Sequence, residues 1–410
     1  MVTGEAEQTE AFRKEVRDWL IANLPEKWGT PEYVAPERFS QEAQDLGISW
    51  TKRLYEAGYT GFNVPKEYGG IERPGWQQAI LLEELSRRGT PPGPQSLGQL
   101  MVIGTLMGWA SEEQKKRFIP KILSGEESWC EGFSEPNAGS DLANVQTTAV
   151  RDGDEWVVNG QKCWTSMWKF ADWSLLVTKT DPNAPRHRNL TYFIFDTTTP
   201  GFSRRPLQQM TGESEFGEMF FDDMRVPHEN MIGEEGRGWY VAMTTLAAER
   251  SGGGGAAAAA MGLSGYGGLI VRTLGGVDSL IELAKKTKRY GKSLWDDVTF
   301  RQRIVQIAIE NQASRYYGTR LGIAMRKGTA SGNEASIAKN SQAEQRKRQG
   351  DMVMEIIGAY SQLMRGDPRA IDGGEQVYNM IRSRGATIEM GTSEINRNII
   401  AERILGLPRA

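Results

Sequence analysis

The hydrophobic period of the chain changes twice, near residues 126 and 236, and nothing else in the sequence limits the architecture as much. Up to about residue 125, apolar side chains recur at helical spacing. "FRKEVRDWLIANL" puts Phe12, Val16, Leu20 and Ile21 on one stripe, and "QQAILLEELSRRG" does so with Ile80, Leu81 and Leu85. "SEEQKKRFIPKILSG" opens on a capping signal, Ser111 with Gln114 three residues on. Turn-rich links such as "VPKEYGG" and "TPPGPQS" separate the helices. Over 126–235 the segments become short, aromatic and β-branched: "EWVVNGQKCWTS", "WSLLVTKT", "LTYFIFDT" and "GEMFFDDMRV". Asp, Asn, Pro and Gly turns part them, which predicts antiparallel strands. From 236 helical spacing returns and lasts to the end.

Segregated helical and β blocks argue against an alternating βα parallel sheet. The expected fold is α+β: an N-terminal helical domain over 1–125, a central antiparallel β domain over 126–235 and a C-terminal helical bundle over 236–410. A chain of 410 residues has room for two or three such cores. A net charge of −3 and the lack of a basic stripe leave no electrostatic footprint for nucleic acid. Cys130 and Cys163 are too few for a disulfide framework, and with only His187 and His228 beside them no zinc site is expected. The start "MVTGEAEQTEAFRKEV" lacks signal-peptide character, and no apolar run approaches membrane-spanning length. The expectation is a soluble, cytoplasmic protein with no membrane span.

"LAAERSGGGGAAAAAMG", Leu246 to Gly262, allows three readings. Gly252, Gly254 and Ala257 satisfy a G-x-G-x-x-A spacing with Asp278 about twenty residues on, but a dinucleotide loop needs a hydrophobic strand before it. A linker should be polar and free of helical neighbours, whereas "GWYVAMTTLAAER" leads in and "AAAAAMGLSGYGGLIVRTL" leads out. A crowded, buried helix fits better, because alanine is the best helix former and each glycine costs only about 1 kcal/mol. Glu249 and Arg250 then lie near its start, and from composition alone they read as a surface ion pair.

Three stretches resemble the flavin-dependent acyl-CoA dehydrogenases, collinearly over almost the whole chain: "CEGFSEPNAGSD", "VNGQKCWTS" and "IEMGTSEINRNIIAERILGLPR". The resemblance implies the same helical–β–helical order and bound FAD. It implies that Phe133, Ser134, Gly139 and Ser140 contact FAD, with Ser140 also facing the CoA chain. Trp164 and Ser166 match the aromatic and hydroxyl residues that cover the isoalloxazine ring and its N5 edge; without the motif, Trp164 reads as sheet packing. Thr392 and Glu394 are expected at a helix start facing the cofactor, with ordinary N-capping as the bland alternative. "EIIGA", Glu355 to Ala359 with Gly358 inside it, aligns with a segment that contacts FAD from a neighbouring subunit. Glu355 and Ala359 depart there from the usual glutamine and glycine. Gln302 matches a further cofactor contact, and the family's arginine near 285–302 has no clear counterpart.

The family's reaction takes a proton from the carbon α to a thioester, so a carboxylate must reach it and donors must hold the thioester oxygen. In many members the base is a glutamate just before the Gly-Thr of the C-terminal motif; here that position is Met390. A second branch, the isovaleryl- and long-chain-type enzymes, places its glutamate before an arginine on a C-terminal-domain helix, and Glu249–Arg250 matches that pair. The resemblance thus implies Glu249 as base and Arg250 as CoA-orienting residue. Met390 N–H and Gly391 lie on the substrate side, and Ala247 and Ala248 keep the groove open. Glu389 as base, or a subunit with no working base, are the alternatives.

The expected activity is FAD-dependent dehydrogenation of a bulky or branched acyl-CoA thioester, steroid side chains included, with electrons passed to an electron-transfer flavoprotein. A homotetramer or a hetero-oligomer with a similar subunit is implied. The alternatives are a non-catalytic or FAD-completing partner subunit, and a flavin oxidase or monooxygenase on the same fold.

Overall fold

The computed structural model describes residues 2–409 apart from 31, 38, 92–97, 249–276, 328, 330 and 331. The chain divides into two compact units, 1–248 and 249–410.

The first unit begins with α1 (Val2–Asn23), α2 (Gln41–Glu56), α3 (Gly75–Arg88), α4 (Ile103–Trp109) and α5 (Glu112–Ser124). Phe12, Val16 and Leu20 are buried with Trp50, Tyr59, Ile80 and Leu81, and Leu85 packs beside them. Ile21, expected on the same stripe, is 60% exposed. One further residue turns the side chain about 100° round the helix, away from the i, i+4, i+8 row. Glu84, buried on α3, ties that helix to α1 by accepting from Arg13 Nη1 (2.6 Å) and Arg17 Nε (2.8 Å). α5 starts with the expected capping box. Gln114 N–H donates to Ser111 Oγ (3.2 Å) and Ser111 N–H to Gln114 Oε1 (2.9 Å).

The β region forms one seven-stranded sheet: β1 (Trp129–Gly132), β2 (Thr148–Asp152), β3 (Glu155–Ser166), β4 (Trp173–Lys179), β5 (Leu190–Asp196), β6 (Phe202–Leu207) and β7 (Phe216–Pro227). The order is β1-β4-β2-β3-β7-β6, with β5 paired to β4. The pairs β2/β3, β3/β7, β4/β5 and β6/β7 are antiparallel as expected, but β1/β4 and the single β2/β4 pairing are parallel. Parallel neighbours need a long connection, and the loop after β1 with the β2–β3 hairpin supplies it. Alternation along β5 sorts its side chains onto two cores. Tyr192 and Ile194 join Leu106, Phe118 and Ile122 of the helices, and Phe193 and Phe195 join Trp156, Phe221 and Met224. The unit closes with α6 (Gly238–Ala248). Eleven helical residues therefore precede Glu249, and the dinucleotide reading of the glycine run lacks the strand it requires. The run from Glu249, with Glu249 and Arg250 themselves, lies outside the described residues.

The second unit contains α7 (Val277–Lys286), a short hairpin of β8 (Lys288–Arg289) and β9 (Lys292–Ser293), α8 (Val298–Arg326), α9 (Ala335–Ile357), α10 (Glu375–Ser383) and α11 (Ser393–Ile399). Tyr290 and Gly291, both left-handed (φ 52° and 79°), turn the hairpin. α8 and α9 run antiparallel: Ser314 meets Ser341, Glu310 meets Arg348 and Arg303 meets Glu355. Leu280, Phe300, Ile304, Ile307, Val353 and Ile356 form the core of the unit. Among the described residues, no helix is long and apolar enough to cross a membrane.

Candidate active site

In the first unit the motifs "SEPNAGSD" and "VNGQKCWTS" meet along the end of β3. Ser134 carbonyl accepts from Cys163 N–H (2.9 Å), and Phe133 carbonyl accepts from Lys162 Nζ (3.1 Å). Lys162 is wholly buried and donates also to Glu135 Oε1 at 2.9 Å. Glu135 accepts in addition from the N–H groups of Gln146 (2.5 Å) and Thr147 (2.9 Å). Burial pushes the Lys162 ammonium down to about 8. Burial works to raise Glu135 as well, but the Lys162 charge and the two N–H donors outweigh it and hold that carboxyl below its ordinary value. A lysine and a glutamate thus pin the 133–135 backbone to the strand beneath it.

Directly after Lys162 the pairing of β3 with β7 slips. Trp164 sits on this irregularity with φ 61°, and Met167 follows with φ 60°. The Trp164 indole is 56% exposed, touching Phe216 edge-on at 5.8 Å. That removes the sheet-packing account of this residue, because a non-glycine held left-handed with its ring in solvent gains little from the core. Thr165 Oγ1, between the two left-handed residues, is buried without a hydrogen-bond partner. Ser166 is half-buried. Phe133 is buried edge-on against Tyr192, Ser134 is half-buried, and Gly139 and Ser140 are exposed. A Cβ added at Gly139 would meet nothing within 4 Å, so its backbone is open to an approaching group. An open aromatic face, an orphaned buried hydroxyl and an uncovered glycine backbone suit a flat polar ring, and these residues fit a flavin.

α6, which leads to Glu249, is fastened under the same loop. Tyr192 Oη lies 3.0 Å from Thr245 Oγ1, which lies 2.8 Å from Thr105 Oγ1 on α4.

In the second unit, Met390 (φ 55°) and Gly391 (φ 84°) are consecutive left-handed residues. The Gly391 carbonyl accepts from the buried Lys339 Nζ and from Asn396 Nδ2 (2.8 Å). Thr392 caps α11, its Oγ1 accepting from Ile395 N–H at 3.1 Å, and Glu394 lies exposed in the first turn. Both therefore sit at the expected helix start, and the capping role of Thr392 is real. Ser393 Oγ donates to Glu344 (2.9 Å), which also accepts from Arg397 (3.0 Å). Glu389 accepts from the buried Arg382 Nη2 at 2.9 Å, so its carboxylate already has a cationic partner.

Glu355, standing where the family pattern has glutamine, is exposed and held bidentately by Arg303 (2.6 and 2.7 Å), which keeps its carboxyl below the ordinary value. Gln302 lies on the exposed face of α8, and its neighbour Arg303, not Gln302, meets Glu355. Gly358 (φ 57°) ends α9 and lines a cavity of about 760 Å³ with Arg289, Ala359, Tyr360 and Gln376. Arg289 Nη2 donates to Glu355 carbonyl at 2.8 Å. The sequence reading passed over Glu135, Lys162, Lys339 and Asn396. Glu135, Lys162 and Asn396 stand inside quoted motifs, but a polar or charged residue carries no mark of burial in a sequence.

The architecture is that of the acyl-CoA dehydrogenase fold. Over 98% of both chains it superposes on the ChsE4-ChsE5 complex from Mycobacterium tuberculosis (TM-score 0.78, 31% identity). It matches a Tcur3481-Tcur3483 steroid ACAD at TM-score 0.77 and 28% identity, again over 98% of each. Family models for the acyl-CoA dehydrogenase N-terminal, middle and C-terminal domains match residues 6–126, 130–224 and 236–405. The chain belongs to the acyl-CoA dehydrogenase family, oxidoreductases acting on CH–CH bonds. It is 35% identical over 405 residues to the acyl-CoA dehydrogenase IpdE1 of Mycobacterium tuberculosis, covering 98% of this chain and 99% of that one. To the IpdE1 of Mycolicibacterium smegmatis it is 37% identical over 413 residues, 98% of each.

Proposed function

We propose that this chain binds FAD and dehydrogenates a bulky acyl-CoA thioester, of the steroid side-chain class, between its α and β carbons. FAD, when bound in this cradle, would supply the acceptor for the hydride leaving the β carbon, and an electron-transfer flavoprotein would take the electrons onward. The observation that carries the reading is the exposed, left-handed Trp164 on a strand end pinned to the 133–135 backbone by Lys162 and Glu135. Phe133, Ser134, Gly139, Ser140, Trp164 and Ser166 hold the ring and the adjoining CoA chain in this reading. Glu249 takes the α proton and Arg250 orients the CoA portion. The N–H of Met390, with Gly391 behind it, donates to the thioester oxygen as charge develops there. The steroid class draws support from the neighbours that carry it in their names.

The test is an anaerobic titration with straight-chain, branched and steroid acyl-CoA thioesters, followed by flavin absorbance. Bleaching should be strongest with the steroid thioester. Glu249→Gln should abolish bleaching while FAD stays bound, and unchanged bleaching would sink the assignment. Glu389→Gln should bleach close to wild type, because that carboxylate is engaged by Arg382.

A second reading, a subunit that works beside an unlike partner, is favoured by Met390 in the acid position and by the Arg303–Glu355 pair where glutamine is usual. FAD counted per chain separates the two: one per chain supports self-sufficiency, and one per two chains supports the pairing.

A further inference from the structure

The Met390 N–H belongs to the planar peptide unit that joins Glu389 to Met390, so its direction is set by ψ of Glu389 and φ of Met390. Among the described residues this N–H has no acceptor, while the chain on both sides of it is tied down. On the C-terminal side, Lys339 Nζ and Asn396 Nδ2 hold the Gly391 carbonyl. On the N-terminal side the holders are Arg382 and Gly385. Arg382 stands in the last turn of α10 and reaches forward over the tight helical turn Gly385–Thr387. Its Nη2 donates to Glu389 Oε2 at 2.9 Å. The Gly385 carbonyl accepts from Glu389 N–H, also at 2.9 Å. Residue 389 is thus held by its side chain and its backbone together.

Gly385 also makes room for the pair. A Cβ added there would stand 2.7 Å from Arg382 Nη1 and 3.8 Å from Glu389 Oε2, the first closer than real Cβ atoms come. The backbone at 385 is helical, so what excludes a side chain is the Arg382 guanidinium itself. Arg346, further along α9 from Lys339, also feels the Glu389 charge. Without Arg382 the carboxylate would turn toward Arg346 and carry residue 389 with it. We infer that Arg382 is a positioning residue for the dehydrogenation: through Glu389 it aims the Met390 N–H, and the bare Gly385 lets it do so. The inference rests on the reading above, in which that N–H donates to the thioester oxygen. A donor aimed at charge that appears only in the transition state loses its effect when it is turned aside, so kcat should suffer and KM should not.

The probe is a 3-ketoacyl-CoA thioester, which has no β hydride to give and ionises to an enolate whose charge is shared by the thioester oxygen. The pH at which the bound thioester is half ionised, read from the ultraviolet absorbance of the enolate on the FAD-loaded protein, reports the donor without turnover. Wild type should ionise it at a lower pH than free solution does. Arg382→Met should raise that pH by about one unit, a tenfold loss of enolate, with kcat down about tenfold and KM within about twofold. Arg382→Lys, which keeps the charge, should recover part of the loss. Gly385→Ala displaces the guanidinium but keeps every charge; it should shift the ionisation the same way, and it stands in if Arg382→Met does not fold. Glu389→Gln leaves Arg382 an oxygen to hold and remains a control. If wild type ionises the thioester no more readily than water does, the Met390 donor falls and the inference with it. If wild type does so and both variants match it, the donor survives and the pair serves only the fold. A shift in a folded Arg382→Met without one in Gly385→Ala makes the effect one of charge, not of direction, and overturns the inference too.

Discussion

Replacing Lys162 by methionine keeps a long apolar stem and removes one buried charge, which makes it the sharpest probe of how the candidate flavin edge is held. Lys162 is completely buried, 2.9 Å from Glu135 and 3.1 Å from the Phe133 carbonyl. The variant leaves Glu135, itself buried, with only the Gln146 and Thr147 N–H groups for its charge. Removing one partner of a buried ion pair costs about 3–5 kcal/mol. The two surviving donors keep the loss near the lower end, about 3 kcal/mol. For a unit of this size each kcal/mol is worth about 2–4 °C, so the melting temperature should fall by about 6–12 °C. Adding Glu135→Gln removes the stranded charge and should recover at least about 1 kcal/mol. Urea unfolding by circular dichroism measures both, and flavin absorbance after desalting should show FAD lost from the single variant before the fold melts. A Lys162→Met protein within about 0.5 kcal/mol of wild type, or a double variant less stable than the single, would refute the reasoning. The pH dependence has a defined sign. Burial lowers Lys162 to about 8 from 10.5, so the folded form gives up this proton first. The unfavourable part of burying its charge is fully present below about pH 8 and is relieved as pH rises toward 10.5, a gain that Lys162→Met should lack.

Trp164→Gly relieves a left-handed backbone of about 1 kcal/mol, so the apoprotein should melt no lower than wild type while retaining less FAD after desalting. Lys339→Met takes one of two donors from the Gly391 carbonyl. With FAD still bound, kcat should fall by about 10–100-fold as the Met390–Gly391 turn loosens. Glu84→Gln should cost about 1–3 kcal/mol at neutral pH. Burial works to raise the Glu84 carboxyl, but Arg17 and Arg13 hold it below its ordinary 4.5. Its stabilising contribution is therefore complete above about pH 4.5 and lost as pH falls through the folded value, and the variant's acid unfolding curve should be flatter there.

Elements driven by strong period and β-branched or aromatic content were legible. "EWVVNGQKCWTS" is β3 residue for residue, and β4, β5 and β7 fall on the other three quoted segments. β2 and β6 were not legible, because "TAVRD" and "FSRRPL" are mostly solvent-facing and carry Arg or Pro where an inner strand would carry Val or Ile. The parallel pairings of β4 could not be read either, since strand partnership is set by packing far along the chain and leaves no local pattern. At the candidate site, the motifs singled out in the sequence, Phe133 to Ser140 and Trp164 to Ser166, lie against each other in the structure. They did not disclose what fixes them there. Lys162 and Glu135 read as two more charges in a chain that is 25% charged until the fold buries them together.

The Met390 position is where sequence and structure inform each other most. A methionine there removes a side-chain acid but not the main-chain N–H, and the backbone keeps its turn. The turn is shaped by two left-handed residues, by Lys339 and Asn396 on the Gly391 carbonyl, and by the Thr392 cap; none of these uses the side chain at 390. A non-glycine residue kept at φ 55° carries a conformational cost, and three separate devices hold it in place. The nearest acid, Glu389, is turned to Arg382, so the chain has not shifted its carboxylate by one residue to compensate. A main-chain donor can thus persist at 390 after the acid has gone. In that case proton abstraction must be supplied from elsewhere, by Glu249 of this chain or by an unlike subunit. Glu249→Gln, read by bleaching with FAD still bound, decides between them.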